Sequence, residues 1–251
     1  YTMDAALDGA NYNIAIGYQA LSAHTEGDYN TVLGAQAGLD STTGAVNTLI
    51  GFRAGYDIIG GGENTFVGSS AGLLTTAVVG ATLIGREAGG GGVITTGANY
   101  TTAVGYQALY GLTSGARNTA VGYGSASRLT TGSDNTSLGY GAYLSQDAGH
   151  ANHLGGSHNT FIGSASGDGA YASTTAVESM TAVGSNSLSA ALEGAASGSV
   201  AVGRNALNSL TSGQRSTAVG YYALANCDDG DNNTAIGWEA LEANAGDSNT
   251  G

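Results

Sequence analysis

Asn118-Thr119-Ala120-Val121-Gly122-Tyr123 is the stretch that decides the fold, because the chain repeats it in close copies along its length. Two of these copies are Asn47-Thr48-Leu49-Ile50-Gly51 and Asn233-Thr234-Ala235-Ile236-Gly237. Eight of the twelve steps between successive closing glycines are 17 residues long. A fixed period near 20 residues is typical of a protein built as a stack of similar coils. The thirteen closing glycines are Gly17, Gly34, Gly51, Gly68, Gly85, Gly105, Gly122, Gly139, Gly163, Gly184, Gly203, Gly220 and Gly237.

The composition fits a solenoid, which grows by adding coils and not by enlarging a single core. The chain has 251 residues with 44 glycines and no proline, and 41% of its residues are hydrophobic while 10% are charged. That hydrophobic content argues against a disordered chain. The net charge of −13 argues against a nucleic-acid partner and against contact with an anionic membrane, because both require a basic surface.

Each copy of the motif predicts a turn followed by a short strand. The turn reads Gly-x-x-Asn-Thr, as in Gly27 to Thr31, and glycine and asparagine both tolerate left-handed backbone. The three residues before the closing glycine begin with threonine in eleven of thirteen copies and end with Ile, Val or Leu in all of them. Such branched residues favour a strand. The sequence therefore predicts an all-β parallel β-roll or β-solenoid of about 13 coils.

The middle residue of each strand bears on how the chains associate. It is small or apolar in every copy, as in Ala103, Ala120, Ala218 and Ala235. Because neighbouring strand residues point to opposite faces, the strand is apolar on both. One face fills the coil, and the other needs cover, which identical parallel chains in register would supply. We expect the threonine and the aliphatic residue, which share a face, to point inward.

Two further columns come after the closing glycine. The third residue after it is Ala or Ser in every copy, which predicts a narrow interior with close backbone approach. The fourth is Leu in some regions and Gly in others, which we interpret as a change in coil girth. We also expect stacked Asn and Thr to form ladders between coils. The spacing divides the array into regular repeats over 1–142, irregular repeats with longer loops over 143–199, and regular repeats over 200–251.

The repeat resembles that of a known family. The pattern Asn/Ser-Thr-Ala-Val/Ile-Gly-x-x-Ala/Ser is similar to the head repeat of YadA-like trimeric adhesins, the haemagglutinin-type repeat. Segments 101–109 and 233–241 (Asn-Thr-Ala-Ile-Gly-Trp-Glu-Ala-Leu in the second) resemble the shaft repeats of phage tail fibres and related bacterial trimeric fibres still more closely. The resemblance covers nearly the whole chain, with a longer period than is usual in YadA-like heads. It implies a parallel β-roll packed as an intertwined or side-by-side homotrimer.

The resemblance also implies a function. We expect the structural shaft of a trimeric fibre, outside a cell or on a virion tail, that serves attachment to a surface or host. The implied partners are the chain itself and a glycan or protein receptor, with no nucleic acid and no membrane contact. The chain starts at Tyr1 and stops within another copy of the motif, so we expect it to be a piece of a longer protein.

Candidate chemistry is sparse. His150, His153 and His158 lie in the longest step and in a three-fold fibre could converge on a metal, although their spacing matches no familiar ligand motif and a plain loop is the simpler interpretation. Asp168 and the run Asp228-Asp229-Gly230-Asp231 resemble fragments of calcium loops, but turn-forming aspartates explain them better.

The triple glycine Gly90-Gly91-Gly92 does not indicate nucleotide binding, because no phosphate-loop lysine follows it. The single cysteine, Cys227, is expected to be a buried thiol. We expect no enzymatic activity and no cofactor.

One stripe of residues is a candidate for ligand contact. The residue after the closing glycine is aromatic in seven copies, and exposed rings in a row can stack on sugars of a host surface or pack on each other over the coil edge. We expect the structural role. The residues are Tyr18, Phe52, Tyr106, Tyr123, Tyr140, Tyr221 and Trp238.

Two other functions compete with the fibre. An ice-binding β-solenoid is the alternative, suggested by the threonine column and the low charge, but one threonine per coil, expected to point inward, argues against it. A polysaccharide-degrading β-helix is more remote, because no acidic cluster is tied to one face of the repeat.

Overall fold

The computed structural model describes residues 9–144, 155–169, 177–190, 197–243 and 246–251. Those residues contain thirteen three-residue strands and one 3-10 helix, Thr96–Ala98, and no helix among them has the length and apolarity needed to cross a membrane. Each strand ends directly before a closing glycine, so the repeat of the sequence is the repeat of the fold. The strands are β1 (Ile14–Ile16), β2 (Thr31–Leu33), β3 (Thr48–Ile50), β4 (Thr65–Val67), β5 (Thr82–Ile84), β6 (Thr102–Val104), β7 (Thr119–Val121), β8 (Thr136–Leu138), β9 (Thr160–Ile162), β10 (Thr181–Val183), β11 (Val200–Val202), β12 (Thr217–Val219) and β13 (Thr234–Ile236).

The chain divides into two compact units, residues 1–121 with β1 to β7 and residues 122–251 with β8 to β13. Within each unit, strands that are consecutive in sequence pair in parallel and in register. Thr48 lies opposite Thr65 and Leu49 opposite Phe66 in the first unit, and Ala218 lies opposite Ala235 in the second. The predicted parallel β-solenoid with a period near 17 residues is therefore confirmed. The predicted regions 1–142, 143–199 and 200–251 stay a prediction.

The two faces of the strands are the reverse of what we expected from the sequence. The middle residues fill the interior, and Ala103, Ala120, Ala218 and Ala235 are all 0% exposed within the single chain. The threonine and the aliphatic residue on either side of them point outward. The inward threonine column was thus wrong. The physical reason is space, because the coil is so narrow that alanine is the commonest side chain the strand places inside it.

Core volume is shared between two positions of each coil, and this explains the alternation of Leu and Gly. Where the middle strand residue is Ala15, Ala103 or Ala182, the fourth residue after the closing glycine is a leucine, and Leu21, Leu109 and Leu188 are buried. Where the middle residue is large, that position is glycine. A Cβ on Gly72 would lie 2.7 Å from the Phe66 ring, and a Cβ on Gly55 would lie 2.9 Å from Leu49. In these coils, a large side chain on one side of the interior is therefore matched by glycine on the other side, and a small one by leucine. The alternation of Leu and Gly is thus explained without the change in coil girth that we expected.

Buried asparagines join several coils to the next, and Ser199 and Ser216 occupy the same column in the second unit. Asn47 Oδ1 accepts a hydrogen bond from the backbone N–H of Asn64 at 3.1 Å, and Asn47 Nδ2 donates to the carbonyl of Gly61 at 2.9 Å. Asn159 makes the equivalent bonds in the second unit, to the Met180 N–H at 2.9 Å and the Val177 carbonyl at 2.9 Å. Because a buried amide that is fully hydrogen-bonded specifies one register, this column fixes how the coils stack. The expected asparagine ladder is confirmed.

The turn before each strand differs from its prediction in one respect. The left-handed residue is the one that precedes the asparagine, as at Tyr29 (φ 62°) and Val46 (φ 60°). The asparagine bonds the following coil, 14 to 17 residues away, instead of its own turn. Left-handed backbone costs a non-glycine residue roughly 1–2 kcal/mol, so these turns depend on the hydrogen bonds between coils.

The closing glycines are required by close approach. Gly51 has φ 136°, and a Cβ there would lie 2.5 Å from the carbonyl oxygen of Gly68, the next closing glycine. The same relation holds along the column, as between Gly184 and Gly203. No side chain fits between two backbones at this distance.

Replacing a closing glycine should therefore be costly. Gly51→Ala introduces both a clash with the Gly68 carbonyl and an unfavourable φ, and we expect it to lower the free energy of unfolding by about 2–4 kcal/mol. Gly60→Ala is the matched control, because Gly60 is exposed and a Cβ there would meet only the flexible Thr43 side chain, at 3.2 Å. Urea denaturation followed by circular dichroism measures both variants. Equal stability of the two variants would contradict the close-approach role.

The exchange of core volume can be tested by a double-mutant cycle at Phe161 and Gly167, where a Cβ on the glycine would collide with the ring. We expect Phe161→Ala to cost about 3–5 kcal/mol through the cavity. Gly167→Leu should cost about 1–3 kcal/mol through overpacking. The double variant reproduces the Ala182 and Leu188 pairing of the next coil and should recover more than half of the summed loss. Strictly additive losses would refute the exchange.

Candidate functional site

The outer face of the strands is the most extensive candidate surface. Every outward strand position is Thr, Val, Ile or Leu, so this face carries no charge although the chain carries −13. Ile16 and Ile236 are 59% and 65% exposed, and Leu33 and Leu138 are 46% and 45% exposed. Neighbouring strands are about 4.8 Å apart, so like residues form straight columns on each unit. An apolar face of this regularity marks an interaction surface. We call it the outer strand face.

The aromatic stripe lies next to the outer strand face in sequence and is exposed, except that Tyr106 is half-buried. Its rings stack on each other, with Tyr123 and Tyr140 at 5.2 Å between centroids and 14° between planes. Tyr221 and Trp238 are parallel within 7° at 6.5 Å. Arginine guanidinium groups cover other rings, Arg53 over Phe52 at 5.0 Å and Arg86 over Tyr106 at 5.7 Å. Four of the seven members therefore form stacked pairs, and a ladder along the whole stripe stays a prediction.

This stacking limits what the aromatic stripe can bind. A sugar packs its C–H groups against the face of a ring, whereas in a stacked pair the facing surfaces of the rings are already in contact. Between such rings the stripe offers edges and hydroxyl groups to solvent. The structure thus favours the structural interpretation for the stacked members, and the sugar-binding interpretation needs a ring with an open face elsewhere.

Sequence reasoning missed a second row of exposed rings. Tyr12 and Tyr29 stack at 5.1 Å with 4° between planes, and they are 76% and 59% exposed. Both occupy the left-handed position that precedes the asparagine. The same position before the strand recurs in every coil, but it holds Val46, Glu63 and Gly80 in the coils that follow. The sequence therefore gives no residue type by which this row of rings could be recognised.

The predicted metal ligands are only partly within the described residues. His150 and His153 lie outside them. His158 is exposed, with Nε2 3.9 Å from Asp134 Oδ2. Among the residues that the structure describes, no group of three or more His, Cys, Asp or Glu side chains could hold a metal ion.

Asp231, near the end of the chain, connects successive coils. Asp231 Oδ1 accepts a hydrogen bond from the Gln214 N–H at 2.7 Å, and the Asp231 N–H donates to Asp247 Oδ1 at 2.9 Å. These contacts join successive coils, as Asp28 does when it accepts from the Asn11 N–H at 2.7 Å. Asp228 and Asp229 are exposed, and Asp168 is buried. Asp231 thus bonds the neighbouring coils, as the buried asparagines do, and these contacts are not the local bonds expected of a turn-forming aspartate.

Cys227 and the triple glycine also have structural roles. Cys227 is fully buried in the core column that Leu210 occupies one coil earlier, so the buried thiol is confirmed. Gly91 and Gly92 both donate their N–H groups to the Tyr110 carbonyl at 2.9 Å, and a Cβ on Gly91 would collide with the Tyr110 ring. The triple glycine is thus a tight turn beneath a tyrosine.

A groove in the first unit was not foreseen from the sequence. It has a volume of about 240 Å³ and is lined by Arg53, Tyr56, Asp57, Leu73 and Leu74. Burial raises the pKa of the Asp57 carboxyl above its usual value, and the neighbouring Asp40 carboxyl, one coil earlier, raises it further by repulsion and by a hydrogen bond. Positions five and six after the closing glycine vary between coils, so periodicity does not reveal this groove.

The comparisons with known proteins assign no family. No family model, no curated protein and no solved structure matches this chain. The features that bear on function are the outer strand face, the aromatic stripe and the groove, together with the resemblance of the repeat.

The raised pKa of Asp57 predicts how stability changes with pH. The folded state holds the Asp57 proton more tightly than the unfolded state. The contribution of Asp57 to stability is therefore lost as pH rises from the ordinary pKa of 3.8 through the raised pKa of the folded state. Asp57→Asn has no carboxyl group to titrate and does not lose this stability. The stability of the variant relative to the parent should therefore be higher at pH 7 than at pH 3. Urea midpoints at the two pH values measure this. Asp40→Asn removes the repulsion on Asp57, so its stability relative to the parent should also be higher at pH 7 than at pH 3. An effect of Asp57→Asn on stability that does not vary with pH would contradict the raised pKa.

Proposed function

We propose that this chain is a structural segment of the shaft of a homotrimeric fibre that serves attachment to a surface or host, outside a cell or on a virion tail. The observation that supports it most is the outer strand face, which is uncharged, largely aliphatic and left half-exposed by the single chain. In water such a face is costly at roughly 25 cal/mol per Å² of apolar surface. Association with a second surface removes this cost.

Identical chains are the partner that best fits the outer strand face. Within each unit, like positions of neighbouring strands lie in register, as columns of aliphatic residues and of threonines that Ile14 and Val200 interrupt. A parallel copy therefore meets the same spacing from coil to coil. The negative charges lie elsewhere on the coil, because no outward strand position is Asp, Glu or Arg. Parallel copies can therefore pack these faces together without placing like charges in the interface.

Three copies, and the attachment role itself, come from the resemblance to YadA-like heads and fibre shafts. A shaft of this kind spaces a receptor-binding tip from its base, or grips a surface directly. The partner surface in that case is a glycan or a protein receptor of the host. The stacking of the coils gives such a shaft its rigidity, since backbone hydrogen bonds fix neighbouring coils to each other and buried asparagines add to them at several coils.

The oligomeric state tests the fibre directly. Light scattering on the purified chain should give three times the 24.6 kDa mass of one chain. Val219→Arg places a charge on the outer strand face and should dissociate the trimer, because an unpaired charge in an apolar interface costs several kcal/mol. Asn226→Arg is the matched control in the same coil, at an exposed turn position, and should remain trimeric.

Two outcomes would contradict this proposal. The first is a parent chain that stays monomeric at micromolar concentration. The second is a trimer that Asn226→Arg and Val219→Arg affect equally, since the outer strand face would then have no special role. Circular dichroism of each variant shows that the coil itself is intact.

An ice-binding solenoid is the second candidate, and one observation favours it more than the sequence did. The threonine column points outward, and Thr31 and Thr119 are exposed. The residue two positions on is aliphatic in every strand, so eleven of the thirteen strands present one threonine and one apolar group. A monomer that depresses the freezing point below the melting point would support this function, and loss of that hysteresis in Thr65→Lys would locate it on the outer strand face.

A further inference from the structure

We propose that the groove lined by Arg53, Tyr56, Asp57, Leu73 and Leu74 binds one neutral pyranose ring of a surface glycan. This inference rests on the proposed attachment function and adds to it a site and a ligand class. At about 240 Å³ the groove has room for a single sugar ring and not for a long chain. It lies between the turns of two coils, because Tyr56 and Asp57 follow β3 while Leu73 and Leu74 follow β4.

The chemistry of the lining matches a sugar. A pyranose has a C–H face that packs on a ring and on aliphatic groups, and Tyr56, Leu73 and Leu74 supply these. Its hydroxyl groups both donate and accept, so they need an acceptor and a donor at the edge of the apolar surface. The Asp57 carboxyl and the Arg53 guanidinium supply that pair. This is the combination of an apolar lining with a few convergent polar groups that ligand sites have.

Arg53 is held in position before any ligand arrives. Its Nε donates to Gln36 Oε1 at 2.8 Å, and its guanidinium carbon lies 5.0 Å from the Phe52 ring and 5.4 Å from the Tyr56 ring. The bond to Gln36 uses Nε, which leaves the two terminal nitrogens as further donors for the groove. A fixed side chain loses little conformational freedom on binding, which favours even a small ligand.

The charges around the groove favour a neutral ligand. Asp40 lies beside Asp57, close enough for their carboxyl groups to share a hydrogen bond, and the whole chain carries −13. An acidic sugar would meet this repulsion, because the two carboxyl groups outnumber the single Arg53 guanidinium. A neutral pyranose does not meet it.

The groove is a departure from the repeat that the fold does not require. The fifth and sixth residues after the closing glycine are Ser22 and Ala23 in the first coil, and Asn208 and Ser209 in the coil that follows β11. In the groove, by contrast, these positions hold Tyr56 and Asp57 in one coil and Leu73 and Leu74 in the next. These positions lie in the turns and not in the strands, so the groove is not part of the outer strand face.

A second groove, in the second unit, provides a control. It is lined by Glu178, Ser179, Ser197, Gly198, Gln214 and Arg215, so it has an acid and an arginine but no ring and no aliphatic side chain. We expect it not to bind a sugar, because hydrogen bonds to an exposed polar groove compete with water without any gain from apolar contact.

The test is saturation-transfer NMR and calorimetry on the full chain with methyl glycosides of glucose, galactose, mannose and N-acetylglucosamine. We expect at least one to bind with a Kd on the order of 1 mM. Tyr56→Ala and Asp57→Asn should each weaken binding about tenfold or more. Tyr56→Phe, which keeps the ring, and Arg215→Gln, in the second groove, should bind as the parent does. Circular dichroism confirms that each variant is folded.

The possible results separate this proposal from the fibre. If no neutral glycoside binds, or if only glucuronate or sialic acid binds, the neutral-pyranose site is overturned. Binding that Tyr56→Ala and Asp57→Asn leave intact also overturns it. A trimer that binds no sugar overturns the groove alone. A monomer whose sugar binding depends on Tyr56 overturns the fibre and leaves the groove in place.

Discussion

The contact on which the rest of the structure depends is that of one closing glycine with the next. At Gly51 and Gly68 the backbones approach so closely that a Cβ has no room, and this approach sets the separation of the coils at the end of each strand. The buried asparagines work at the opposite end of the same strand, where Asn47 bonds both Asn64 and Gly61. Each strand is thus fixed at both ends. Three residues are too few to hold a strand alone, and these two columns explain why the strands need be no longer.

The strain in the coil has a consequence for how the chain folds. Each coil places ordinary residues, among them the β-branched Val46, in left-handed backbone at the turn before the strand, and further ones after the closing glycine. A single isolated coil cannot offset this strain, because its compensating hydrogen bonds go to the neighbouring coil. Stability therefore grows with the number of stacked coils. The interior adds a second condition, since Phe66 fits only because Gly72 faces it.

Different parts of the coil surface suit different partners. The strands present an uncharged face that suits identical chains, or ice, and the aromatic stripe beside it stacks upon itself. The turns are less constrained by packing, and there one pair of coils forms the groove around Tyr56. Function in a repeat protein of this kind can thus combine two roles. In the proposed fibre, the repeated columns hold chains together, and a local departure from the columns binds something else.

The sequence by itself determined the coil, because a 17-residue period, a recurring closing glycine and a branched strand leave few alternatives to a parallel solenoid. It also determined the small interior column, the asparagine ladder and the burial of Cys227. Only the tertiary structure decided which face of the strand points inward, because alternation defines two faces without saying which one the coil encloses. The Leu and Gly exchange, the Tyr12 and Tyr29 pair and the groove at Arg53 also appeared only there. Each depends on residues of adjacent coils meeting in space, and those residues are a full period apart in the chain.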